Sequence, residues 1–293
     1  MDFILMGTGT SHGIPVVGCS CKVCRSEDEH DKRLRCSALI KTRNTSIVID
    51  TGPEFRIQAL KFGIKKLNAV LITHGHADHL NGLDDVRIFS NTKKARTNSA
   101  IKPLKLFGNR ETIEDIKERF SYVFHESQEG GGKPLLDIRN ISRLQKNEPI
   151  IINGEIECRP VPMMHGNLKV CGWNIRPANA PVEESVSYLT DCSDIPDESI
   201  KMVKGCRHLI IDGLRVREHS THLSFEQALR YAEKIAPSYV WLTHLCHDLS
   251  HEQIKTFLKA EKSELGILAS TPVEPAYDGL KLSISDSEQN VKI

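Results

Sequence analysis

This 293-residue chain carries almost no net charge: 39 Lys and Arg against 38 Asp and Glu leave +1 at neutral pH. No global field therefore draws in nucleic acid or an anionic membrane, and no long basic arm suited to RNA is evident. The chain also lacks any apolar run near the ~18 residues of a membrane span. Its opening, Met1-Asp2-Phe3-Ile4-Leu5-Met6-Gly7, is too short and too acidic for a secretory leader. There is no short-period repeat and no linker long enough to separate a pair of domains. What remains is an ordinary globular composition, 39% hydrophobic and 26% charged, with enough chain to bury a sizeable core. Nine cysteines is an odd number, and several sit in apolar strands. That argues against a disulfide framework and for a reducing cytoplasm.

The densest chemistry is Thr73-His74-Gly75-His76-Ala77-Asp78-His79. Four metal-capable side chains fall within six positions, in a chain with only 13 histidines, which an incidental polar turn does not explain. The apolar run Ala69-Val70-Leu71-Ile72 before them reads as a buried strand. His74 and His76 are two apart and point the same way on an extended segment. Asp78 and His79 follow the turn and face another point, so one short loop can serve two adjacent cations. Imidazole and carboxylate suit a borderline metal such as zinc or manganese.

Three thiols, Cys19, Cys21 and Cys24, lie within six residues. They fit a tetrahedral zinc that lacks a local fourth ligand; a disulfide with a spare thiol and free buried cysteines are the alternatives. Gly7-Thr8-Gly9-Thr10-Ser11-His12-Gly13 is either a phosphate cradle or a plain glycine turn. Asn91 to Ala100 is basic, a substrate-facing rim or a solvated loop. The segment from His125 to Asn140, with Gly130 to Gly132, is a lid or a slack surface loop. Ser224 with Gln227 forms a capping box for a helix from Phe225 to Ile235, which places His222 just outside a helix N-terminus. Arg215 and Arg217 bind a phosphate or lie in a solvated turn. Asp212 ends the buried strand His208-Leu209-Ile210-Ile211 and supports the same sheet edge. Leu80 to Phe89 and Glu111 to Phe124 read as helices, and Ala276 to Ser285 as a closing strand.

The H-x-H-x-D-H pattern resembles that of the metallo-β-lactamase superfamily over nearly the whole chain. The Gly-Thr-Gly loop, Gly13-Ile14-Pro15, C-x-C-x-x-C and Cys36-Ser37 resemble its PhnP-type branch of cyclic ribose phosphate phosphodiesterases. That resemblance implies an α/β (α+β) fold, a four-layer αββα sandwich, as a single domain over 1–285. Its two βα halves would be about 1–150 and 151–285, followed by a polar tail, 286–293. It implies one ion on His74, His76, His165 and Asp191, and a second on Asp78, His79, Asp191 and His244, with Asp191 shared. It adds a structural zinc on Cys19, Cys21, Cys24 and His247, and Asp50 as a prop for the ligand loop, where a turn-forming aspartate is the plain alternative. His222 would act with Asp78 in catalysis, as general acid or oxyanion donor, with His219 as its competitor.

The implied activity is hydrolysis of a phosphodiester, a small cyclic sugar or nucleotide phosphate, by hydroxide generated between two divalent ions, Zn2+ or Mn2+. A tRNA 3′-processing endoribonuclease and a non-hydrolytic cofactor-biosynthesis or metal-carrying relative are the rivals. The expected partner is a small anionic ester, with no membrane and no nucleic acid. Oligomeric state stays open, a homodimer included.

Overall fold

The computed structural model describes residues 1–90, 103–125, 132–145 and 148–284. The basic stretch 91–100, most of the glycine run and the tail lie outside them. Two seven-stranded sheets form the body. The first contains β1 (Asp2–Gly7), β2 (Ser37–Lys41), β3 (Ser46–Ile49), β4 (Ala69–Leu71), β5 (Leu104–Gly108) and β6 (Leu136–Asn140). The second contains β7 (Ile150–Ile152), β8 (Ile156–His165), β9 (Leu168–Pro177), β10 (Val186–Leu189), β11 (His208–Asp212), β12 (Tyr239–Thr243) and β13 (Val273–Pro275). A last strand, β14 (Lys281–Ser283), returns to the first sheet and pairs with β1.

Both sheets repeat one pairing scheme. β1, β2 and β3 are antiparallel, then β3 to β6 run parallel. β8, β9 and β10 are antiparallel, then β10 to β13 run parallel. Parallel strands must be covered on both faces, and here they are. Ile47, Ile49 and Leu71 join Trp173, Tyr188, Ile210 and Trp241 in a core between the sheets. Val48 and Val70 face the other way, onto the helix Phe55–Lys61 and its neighbour Arg110–Arg119. The outer face of the second sheet packs on the helices Phe225–Ile235 and His251–Leu265. Three cores between four layers make the αββα sandwich.

Several local expectations change. The helix leaving the histidine loop starts inside the motif, as Ala77–Leu80, and continues as a 3-10 turn, Leu83–Val86, and a short helix, Arg87–Ser90. The stretch from Glu111 to Phe124 is two helices, broken at Phe120. The closing segment is not one strand. β13 ends the second sheet, and the chain crosses through Tyr277-Asp278-Gly279 to β14 in the first. Leu136–Asn140 is a parallel sheet edge, so that portion of the expected lid is held by backbone bonds. Much of the glycine loop's amide complement is spent on backbone pairing. Gly9 N–H donates to Leu34, Thr10 to Leu245, Gly13 to Thr10 and Ile14 to Arg33, all carbonyls. No helix among the described residues is long and apolar enough to cross a membrane.

Candidate metal centre

The C-terminal ends of the parallel strands from both sheets meet along one edge. β4 runs into His74, His76, Asp78 and His79, β8 ends at His165, Asp191 follows β10 after Thr190, and His244 follows β12 directly. Asp50, after β3, and Asp212, closing β11, belong to the same edge. Asp50, Asp191 and His244 are left-handed, with φ of 61°, 53° and 60°. Such angles are uncommon outside glycine and concentrate at functional edges. Gly52 is required for a different reason. A Cβ there would lie 2.1 Å from the Asp78 carbonyl oxygen, so only glycine lets this loop pack under the ligand helix. Thr51 N–H then donates to the His79 carbonyl.

The seven candidate ligands gather into two donor groups, His74, His76, His165, Asp191 and Asp78, His79, Asp191, His244. Asp191 belongs to both. Its carboxylate lies 3.0 Å from His244 Nε2, 3.2 Å from His79 Nε2 and 3.8 Å from His74 Nε2. Asp78 Oδ2 lies 3.2 Å from His79 Nε2 and 3.7 Å from His244 Nε2. These three Nε2 atoms are buried without a hydrogen-bond partner. Buried ring nitrogens facing carboxylates at this spacing are what divalent cations require, so the residues fit the group that the resemblance implies.

The remaining ring nitrogens explain why Nε2 faces inward. Thr73 Oγ1 sits 3.0 Å from His74 Nδ1. Asp50 holds His79 Nδ1 at 2.7 Å and accepts from both Thr73 N–H and Thr73 Oγ1–H at 2.8 Å. His165 Nδ1–H donates to the Thr221 carbonyl at 2.6 Å. Bonds of this kind fix the tautomer and aim the ligand.

Electrostatics agree with the same assignment. Burial would lower the His79 imidazole, but Asp191, Asp78 and Asp50 more than reverse it and hold it well above its usual value. Burial alone would raise Asp191, yet His244 and His79 keep it well below the carboxylate range. Positive charge is therefore favoured between these groups. Burial pushes His165 down to about 4 and His74 well below its ordinary value, leaving both as the neutral imidazoles that coordination needs.

His222 stands over both groups. Its ring stacks 4.7 Å from that of His244 and lies 4.6 Å edge-on to that of His165. Its Nδ1 is 2.8 Å from Asp212 Oδ2, which also accepts the Cys192 N–H. Burial lowers the His222 pKa in the free protein. His219, its competitor, is exposed and belongs to none of the donor groups. His12 and His125 are exposed and join none either.

A second centre is completed by His247, just beyond His244 in the chain. Cys19, Cys21 and Cys24 place their sulfurs 3.5, 3.5 and 3.3 Å from His247 Nδ1. A zinc tetrahedron with Zn–S of ~2.3 Å and Zn–N of ~2.0–2.1 Å has S–N edges of about 3.5 Å, so this donor set fits zinc. The Cys24 N–H, with His247, lowers Cys21 to about 6. All three sulfurs turn towards His247 Nδ1 rather than pairing with one another, which favours the zinc reading over the disulfide. The glycine loop that precedes the cysteines is zipped to the segment after His244, since Thr10 N–H donates to Leu245 O and Leu245 N–H to Thr8 O.

Two supporting residues were not visible as such in the sequence. Thr221 acts through a backbone carbonyl, which has no side-chain signature. Asp278, in the crossing between β13 and β14, is half-buried and accepts from Thr8 Oγ1–H and Leu34 N–H, bracing the glycine loop from the opposite end of the chain.

Known proteins agree with this architecture. The beta-lactamase superfamily domain model matches residues 45–245. An octanoyltransferase of Porphyromonas gingivalis (strain ATCC BAA-308 / W83) is 37% identical over 294 residues, covering 100% of this chain and 53% of that protein. The chain thus spans about half the length of that relative. The crystal structure of a diphosphatase from the PhnP family is 35% identical with a TM-score of 0.79, over 97% of this chain and 98% of the other. The short form of human tRNase Z shares the fold at 15% identity and a TM-score of 0.62, over 97% and 100% of the two chains. With strand order, layers and sequence match in agreement, this chain belongs to the metallo-β-lactamase superfamily, near its PhnP branch.

Proposed function

We propose that this chain is a metal-dependent phosphodiesterase acting on a small anionic ester such as a cyclic sugar or nucleotide phosphate. The observation that carries the reading is the position of Asp191, within 3.0 to 3.8 Å of histidine nitrogens from both donor groups. Divalent ions held there, zinc or manganese, would polarise the phosphoryl oxygens and bring the pKa of water towards neutrality.

The chain's own residues supply the rest. Asp50 and Thr221 hold His79 and His165 with Nε2 turned inward. Asp212 occupies Nδ1 of His222, so Nε2 is the atom that exchanges a proton at the departing oxygen. Asp78 orients His79 and His244 from beside them. The cysteine group, with a zinc of its own, fastens the segment that follows His244. Free thiols throughout favour a reducing compartment, the cytoplasm.

The similarity to a diphosphatase supports phosphorus as the centre attacked. The octanoyltransferase is nearly twice as long as the matched region, so the activity in that relative's name is not carried over to this chain. The full donor set argues against a mere metal carrier, and a net charge of +1 argues against an RNA substrate.

The test is a side-by-side assay of metal-loaded protein on 2′,3′-cyclic nucleotide, bis(4-nitrophenyl) phosphate and a tRNA precursor. Turnover of the small esters is expected. His222→Ala should lower kcat by about 10²–10⁴-fold while metal content stays at the wild-type level. Faster cleavage of the tRNA precursor would replace this reading, as would full activity in chelator-stripped protein.

A further inference from the structure

The turn between β2 and β3 and the loop after the helix Phe55–Lys61 enclose an open cavity of about 440 Å³, within the ~300–1,000 Å³ of small-molecule sites. Four cations line it, Lys41, Arg43, Lys65 and Lys66, and no carboxylate does. None of the four has an ion pair among the described residues. Another surface cavity shows the ordinary case. There Lys255, Lys259 and Lys262 are mixed with Glu252 and Glu274, and Lys255 lies 3.6 and 4.0 Å from those two carboxylates. Cations gathered without a counter-charge repel one another until an anion joins them.

The backbone around these cations is held in place. Glu155 accepts from the Thr42 and Thr45 hydroxyls and from Asn44 Nδ2–H, which spends its carboxylate on fixing the turn. Two residues after Lys66, Asn68 accepts from Ser46 N–H through Oδ1 and donates its own N–H to Ser46 O. Lys66 Nζ–H donates to the Asn44 carbonyl and ties the loop to the turn. The floor is apolar. Leu39 is buried, Phe62 and Ile64 are half-buried against the outer core of the first sheet, and Lys61 Nζ stands 5.7 Å from the centre of the Phe62 ring.

The metal centre is elsewhere. β3 begins at Ser46, on the cavity, and its last residue precedes Asp50 at the metal edge. Four residues of strand at ~3.3 Å each separate the two by roughly 13 Å. A molecule bound here is not the one being cleaved.

We propose that this cavity is a second, non-catalytic site for a nucleoside polyphosphate. Its phosphates lie on Lys41, Arg43, Lys65 and Lys66, and its base lies on Phe62 and Ile64. Arg43 supplies the planar fork for a phosphate, the lysines supply point charges, and the aromatic floor separates a nucleotide from a bare polyphosphate. The inference does not depend on the hydrolase reading.

The experiment is calorimetry on metal-loaded protein with magnesium-ATP, inorganic tripolyphosphate and an oligoglutamate peptide. Wild type should bind ATP, and Asp191→Asn should bind it at this site equally well. Arg43→Ala combined with Lys65→Ala should weaken it by about tenfold or more, whereas Lys255→Ala combined with Lys259→Ala should leave it unchanged. Tripolyphosphate should bind wild type several-fold more weakly than ATP, and Phe62→Ala, or Phe62→Leu if the first is unfolded, should remove that difference. Circular dichroism and Tm establish that each variant is folded. Absence of ATP binding overturns the site. Binding lost in Asp191→Asn but intact in the Arg43/Lys65 double variant places the ligand at the strand-end ions and overturns it too. Equal affinity for ATP and tripolyphosphate overturns the nucleoside assignment, and tighter binding of oligoglutamate replaces the site with a protein-docking surface.

Discussion

The two donor clusters of this chain are built on opposite principles. At the His/Asp centre every ligand hangs from a strand end or the first turn after one, and all but His76 are buried. Several rings are aimed by a second bond, to Asp50, Thr73 or Thr221. The sheets fix that geometry before any ion arrives. At the cysteine centre three ligands sit on a half-buried loop with no strand, and their bonds run to each other, to His247 and to local backbone. There an ion would make the structure. Preorganised ligands leave an ion free to do chemistry, whereas loop ligands use it as a fastener.

Removing Asp191 should break the first centre alone. Asp191→Asn is expected to lower kcat/KM by about 10³-fold or more, since one carboxylate serves both groups. Metal analysis should show the strand-end ions lost and the cysteine zinc kept. Loss of every ion together would mean that the centres are not independent. The converse change is Cys24→Ser. It should remove one ion per chain and lower Tm by about 5–10 °C, the equivalent of ~2–3 kcal/mol for a chain of this size, with activity at 25 °C within about tenfold of wild type. An unmoved Tm would rule out the fastener role.

The smallest effect sharpens the contrast from outside both centres. His208 opens β11 at the end away from Asp212, accepts the Trp241 indole N–H at 3.3 Å, and is pushed down to about 4 by burial. The unfolded chain binds a proton there below about 6.5 while the folded chain does not until about 4. Stability is thus lost as pH falls through that window, by up to ~2–3 kcal/mol. His208→Phe should flatten that stretch of the stability–pH curve in metal-free and metal-loaded protein alike. A slope that survives the change would assign acid sensitivity to the other buried imidazoles instead, His251, also pushed down to about 4 by burial, or the metal ligands.

Much of this was readable in advance, and the exceptions have physical causes. The interior strands announce themselves as apolar runs because both faces are covered. β6, Leu-Asp-Ile-Arg-Asn, is a half-buried edge with alternating polarity, and β7 is only Ile150–Ile152, so neither stands out. The C-terminal stretch looked like one strand because the crossing at Tyr277-Asp278-Gly279 is short. The helix after Glu111 looked continuous because Phe120 keeps the buried spacing where the helix breaks. His74, His76, Asp78 and His79 are legible because they are local. His165, Asp191 and His244 are single residues at separate strand ends. Only knowledge of the fold makes them converge, and no periodicity does. The glycine loop left two readings open, since glycine permits close backbone pairing as readily as anion binding.

The topology has a consequence for synthesis on the ribosome. His244 and His247, the last members of their clusters, emerge after more than four-fifths of the chain, and β1 waits for β14 at 281–283 to cover its outer edge. The early histidines and cysteines are therefore exposed to solvent, chaperones and stray cations throughout translation. Neither cluster is complete until His244 and His247 have been made, so full loading with metal waits on the second half of the fold rather than its first.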